Sequence, residues 1–203
     1  MSQEIFEIVK NMDLELIETQ LALQCAPVLA GLKISNLLNV SSKQGALIQK
    51  LLAATELSCY VLLRNGHRMT ILIYHKKMLK AYLADKRVQS FLAEQGYEEM
   101  SLKEMLHLLS QRYQSHMEKR AGFPHELGVF LGYPMEDVEG FIENNGENFL
   151  CLGYWKVYQN QQAKLELFQK FERAKEWMIL LVSNGMEFLE AVNLLKSGQL
   201  YQM

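Results

Sequence analysis

The sequence predicts an α/β (or α+β) fold: one helix-rich domain, residues 1–203, with about eight helices around a small sheet of about three strands, a mixed strand order being among the options. Three observations lead there. Most of the chain carries apolar residues at helical spacing. Two short segments rich in β-branched and aromatic residues interrupt it, each preceded by an Asn-Gly pair. The chain, with 203 residues, 49% of them hydrophobic and 22% charged, is long enough to bury one core and has ordinary globular composition.

In order along the chain, residues 2–22 read as a helix, with Ile5, Ile8, Val9, Met12, Leu16 and Leu23 on one side and acids opposite. Pro27 disfavours helix in the residue before it, so Val28–Leu32 reads as a short strand or a buried extended piece. Ser35 or Asn36 then caps a short helix through Leu38. The apolar periodicity of 42–63 predicts a helix stopped at Asn65-Gly66, residues that tolerate the left-handed conformation. Arg68–Tyr74 (RMTILIY) reads as a buried strand. Helical patterns resume at 76–95, with Gly96 as the stop, and at 101–118, where Ser101 and Glu104 form a capping-box pattern. Residues 123–146 divide into two short helices around Gly132-Tyr133-Pro134, and Asn145-Gly146 ends the second. Phe149–Tyr158 (FLCLGYWKVY) reads as the clearest strand. Helices over 160–182 and 186–196 complete the chain. No repeat, low-complexity stretch or domain boundary interrupts it.

Charge and cysteine usage exclude several classes. A formal net charge of −2 gives no field that would draw the whole molecule to nucleic acid or to an anionic membrane. Cys25, Cys59 and Cys151 are odd in number and widely spaced, which argues against a disulfide framework and a zinc knuckle. The first twenty residues are acidic and amphipathic, unlike a signal peptide, and no apolar run reaches the roughly 18 residues of a membrane span. A cytoplasmic location is the expectation.

The segment Phe123–Pro134 (FPHELGVFLGYP), followed by Asp137-Val138, Gly140-Phe141-Ile142 and Gly153–Tyr158 (GYWKVY), resembles a family of short, uncharacterised proteins of anaerobic Gram-positive bacteria, catalogued as a domain of unknown function. Cys25-Ala-Pro and Ala30-Gly31-Leu32-Lys33 are similar to that family's N-terminal motif. The resemblance covers nearly the whole chain. It implies a redox or iron context and brings no activity with it.

Four constellations carry possible chemistry. In the first, Cys25 would be a nucleophile whose thiolate His125 stabilises, with Lys33 or a backbone N–H steadying an oxyanion. The plainer reading is that Cys25 is a small buried hydrophobe and His125 a helix-start residue with a satisfied hydrogen bond. In the second, residues 124–143 have the spacing of a helix-turn-helix. From Met135 to Glu147, however, there are five acids and no Lys or Arg, so nucleic acid would be repelled and simple helix packing is the better reading. In the third, strand alternation puts Tyr154, Lys156 and Tyr158 on one face and Trp155 and Val157 on the other; two phenols and an ammonium would suit an anionic or aromatic ligand, and an ordinary half-exposed strand with a snorkelling lysine is the alternative. In the fourth, His67, His75, His107, His116 and His125 show no HExxH pair and no metal set emerges. Nucleotide-binding glycine motifs are absent, and the eleven methionines read as core filler.

Two functional classes follow. The first is an accessory protein that binds a small molecule, a cofactor of unknown identity or a redox partner protein through Tyr154, Lys156, Tyr133, Lys33, Glu126 and the His125 helix start. The second is a cysteine-dependent hydrolase or thiol-transfer enzyme built on Cys25 and His125. The first class is preferred, because the second needs two distant residues to converge.

Overall fold

A computed structural model describes residues 2–198. The N-terminal helical pattern is two helices. The first, α1 (Gln3–Lys10), is capped by Ser2, and α2 (Ile17–Leu29) follows a turn in which the Asp13 side chain accepts from the Glu15 amide at 2.9 Å. Helix α2 continues through Pro27, contrary to the sequence expectation. Its buried face extends to Val28 and Leu29, and this burial outweighs the hydrogen bond that proline removes. Val28–Leu32 is therefore helix end and turn, with Gly31 at φ +73°, and no strand.

Strand pairing overrides the helical pattern at two places. The expected short helix after Ser35 is strand β1 (Ser35–Ser41), and the expected helix over 42–63 is a short 3-10 turn (Ser42–Gln44), helix α3 (Gly45–Ala53) and strand β2 (Leu57–Asn65). Both strands pair with β3 (Arg68–His75), the strand the sequence shows clearly. Ser35 lies opposite Tyr74 and Ser41 opposite Arg68; Leu57 lies opposite His75 and Asn65 opposite Arg68. Pairing with a central apolar strand overrides weak local helical periodicity. Asn65 then ends β2 opposite Arg68, and Gly66-His67 is the hairpin turn, not a helix stop, with Gly66 supplying its positive φ of 55°. The sheet has the order β1-β3-β2 and is wholly antiparallel, so the mixed option is excluded.

Asp85, whose carboxylate accepts from the amides of Arg87 and Val88, divides residues 76–95 into α4 (Lys76–Leu83) and α5 (Lys86–Glu94). Helix α6 (Leu102–Met117) begins with the expected Ser101/Glu104 capping box. The single turn α7 (Leu127–Phe130) and α8 (Met135–Glu143) flank Gly132. The expected strand over 149–158 is a small hairpin, β4 (Cys151–Leu152) and β5 (Lys156–Val157), because the chain reverses at Gly153-Tyr154. Helices α9 (Gln161–Ser183) and α10 (Phe188–Lys196) follow.

Strand alternation explains the layering. From β3, Met69, Ile71 and Ile73 enter one core with α1, α2, α3, α9 and α10. Leu72 and Tyr74 enter a second core on the other face with α4, α5, α6, α7 and α8. The sheet is thus the middle of three layers. A third, smaller core fixes the β4–β5 hairpin to α9 through Trp155, Val157, Phe168 and Phe171. Among the described residues no helix is long and apolar enough to cross a membrane.

Candidate functional site

The hairpin, the 123–131 segment and α8 enclose a cavity of about 450 Å³ with Leu37 of β1 and Tyr113 of α6. Its walls are apolar: Leu37, Leu127, Leu131, Val138, Phe141 and Trp155, with Phe123 and Leu152 at the rim, 44% and 65% exposed. Gly128 lets the wall come close. A Cβ there would lie 3.2 Å from Val138 and 3.4 Å from the Tyr133 ring.

The polar groups around the cavity divide sharply. Asp137 is 2% exposed, and its carboxylate is fully engaged. Oδ2 accepts from the Trp155 indole N–H at 2.8 Å, and Oδ1 from the backbone N–H groups of Tyr158 and Gln159 at 2.8 and 3.3 Å. These bonds pin the hairpin to α8, so this carboxylate builds the wall and has little capacity left for a ligand. Lys156 donates one hydrogen bond, to the Gly146 carbonyl at 2.6 Å, and its ammonium sits 4.9 and 5.8 Å from the Phe149 and Phe141 ring centroids. Among the described residues no carboxylate pairs with it. His125 is exposed and packs edge-on against Phe123 and at a tilt against Phe141, at centroid distances of 5.6 and 5.7 Å. Its ring nitrogens have no hydrogen-bond partner among the described residues. Tyr133 stacks on Trp155 at 4.8 Å, and burial pushes its phenol up to about 12.

Three of the seven residues singled out from the sequence therefore line one cavity: His125, Tyr133 and Lys156. The other four lie elsewhere. Cys25 is fully buried in the first core, with Lys33 and Asn36 as its polar neighbours, and burial pushes its thiol up to about 12. His125 sits on the 123–131 segment, whose Leu127, Val129 and Phe130 belong to the second core, and among the described residues no contact joins it to Cys25. Lys33 is 5% exposed; its ammonium donates to Asn36 Oδ1 at 2.6 Å and lies 5.3 Å from the Tyr133 ring centroid. Burial holds it down, at about 8, and the nearby Cys25 opposes that shift. Glu126 is buried and accepts from Arg112 Nη1 at 2.7 Å and the Tyr97 hydroxyl at 3.1 Å, which makes it a structural ion pair that anchors α6 to the 123–131 segment. Tyr154, which alternation placed beside Lys156, is turned away by the hairpin reversal. Its hydroxyl donates to Glu172 at 2.8 Å in a separate groove with Leu23, Pro27 and Lys175.

Sequence reasoning missed Asp137, Leu37, Tyr113 and Phe141 as cavity residues. Asp137 was legible as part of the Asp137-Val138 pair of the recognised segment and as one of five acids near α8, but its role was not, because its partners arrive from a hairpin about 20 residues further on. Phe141 belongs to the GFI triplet of the recognised segment, and that was its one signal.

Fold and site together define a three-layer α/β/α protein with an apolar, aromatic-rimmed cavity beside the sheet. The chain belongs to the family described as "Protein of unknown function (DUF3793)", whose model matches residues 21–192. All of the cavity's residues fall within that span. No curated protein and no solved structure matches the chain.

Proposed function

We propose that this protein is a binding module and that its ligand is a small molecule seated in the cavity between the 123–131 segment, α8 and the β4–β5 hairpin. The observation that supports this reading is the cavity itself. Its walls are apolar, unlike those of the other surface grooves of similar volume, and a few polar groups with hydrogen-bonding capacity to spare converge on it. The accessory role expected from the sequence is retained, with the hairpin serving as a wall of the site in place of a strand face. A redox or iron setting for that role rests on the family resemblance alone. A cysteine-dependent activity finds less support, since the thiol is sealed in another core and its burial disfavours the thiolate.

The test is fluorescence titration with N-phenyl-1-naphthylamine, a neutral aromatic probe that brightens in apolar sites. Saturable binding of one probe per chain is expected. Leu37→Trp fills the floor of the cavity and Phe141→Ala removes part of its wall; each is expected to weaken binding about tenfold, which corresponds to about 1.4 kcal/mol. Absence of saturable binding in the folded wild type, or binding untouched by both changes in folded variants, overturns the reading.

A further inference from the structure

The polar groups at the cavity favour one sign of ligand charge. Among the described residues the only carboxylate that lines it, Asp137, already accepts three N–H groups. The lining groups left open are donors or can become so: the Lys156 ammonium, the His125 ring, and the Tyr113 and Tyr133 hydroxyls, for which no hydrogen bond is formed among the described residues. Lys156 uses one of three N–H donors on Gly146, and no carboxylate among the described residues pairs with it. Around these donors stand Phe141, Trp155 and Phe123, rings that suit a flat apolar body. The site thus offers apolar contact over most of its surface and uncompensated positive charge at one point.

We infer that the ligand is a small organic anion, a flat aromatic or otherwise apolar body carrying one carboxylate, phosphate or sulfonate group, with Lys156 as its counter-ion and His125 as a second contact. This assignment of ligand class rests on the binding reading above. The opposite class, a cationic ligand, would face the ammonium across an apolar wall, and the one carboxylate among the described lining residues is already committed to three N–H donors.

A matched pair of probes tests it. N-Phenyl-1-naphthylamine and 8-anilinonaphthalene-1-sulfonate share one skeleton and differ by the sulfonate. The anionic probe is expected to bind about tenfold more tightly, an advantage that shrinks with added salt. Lys156→Gln is expected to abolish the preference by weakening the sulfonate about tenfold, with the neutral probe changed less than about twofold. Lys156→Arg, which keeps the charge, is expected to restore most of the preference, and this arm guards against a merely misfolded glutamine variant. If both probes bind the wild type equally, the anion assignment fails and the binding reading stands. A preference that persists unchanged in folded Lys156→Gln removes Lys156 as the counter-ion. If neither probe binds, the binding reading fails and takes this assignment with it.

Discussion

Lys33 and Cys25 are buried neighbours, and their burial acts in opposite directions with pH. Burial holds the Lys33 ammonium at about 8. The unfolded chain, with an ordinary lysine near 10.5, therefore binds the extra proton between these values, and stability rises with pH through that window. The cost of the buried charge is fully present below about 8. Cys25 has the reverse sign: the folded thiol keeps its proton up to about 12, the unfolded one loses it near 9, and stability falls as pH rises between them. Together these two predict a rise of about 1 kcal/mol between pH 8 and 9 and near-cancellation to about pH 10, where the phenols of Tyr82, Tyr97, Tyr133 and Tyr154, pushed up by burial, add to a decline. Urea unfolding as a function of pH measures this, and Lys33→Met is expected to remove the rise. Cys25 is also expected to resist iodoacetamide in the folded protein, with or without His125→Ala, and to react only on unfolding. Peptide mapping that finds fast, His125-dependent labelling of Cys25 would sink this account of the thiol.

At the scale of elements, the hairpin and α8 stand or fall together. Asp137 links them by three hydrogen bonds from a buried position, and its removal leaves the Trp155 indole and two backbone N–H groups without their acceptor. Asp137→Ala is expected to destabilise the protein by about 3 kcal/mol and to weaken probe binding as the hairpin wall loosens. Gly140 makes the same contact sterically. A Cβ there would lie 2.5 and 2.6 Å from Tyr158 atoms, so Gly140→Ala is expected to cost about 1–3 kcal/mol despite the helix propensity of alanine. Denaturant midpoints check both values, and neutral effects would contradict the close packing of α8 on the hairpin. What was legible in the sequence follows the same division. Local chemistry was readable: the Ser101/Glu104 box, the RMTILIY strand, the stops at Gly96 and Asn145-Gly146. Strands β1 and β2 were not, because their extended state is imposed by pairing with β3, and a single sequence contains no record of that pairing. Likewise His125, Tyr133 and Lys156 were found by residue type, and the hairpin that gathers them was not. Alternation along an assumed straight strand placed Tyr154 with Lys156, and one reversal at Gly153 separated them.

For the whole molecule, the shared sheet has a thermodynamic consequence. Strand β3 gives Met69, Ile71 and Ile73 to one core and Leu72 and Tyr74 to the other, so neither core survives loss of the strand. A single unfolding transition is expected, with equal calorimetric and van't Hoff enthalpies; two resolved transitions would show that the layers fold independently. The central claim is that the cavity beside the sheet, and not the thiol core, is where this protein meets its ligand. The most direct test is an amide chemical-shift map of the 15N-labelled protein during titration with 8-anilinonaphthalene-1-sulfonate. The largest shifts are expected at residues 123–128, 138–141 and 152–156, with the amides around Cys25 and Lys33 unmoved. Shifts centred on Leu23, Pro27 and Lys175, or on the Cys25 side of the sheet, would contradict it.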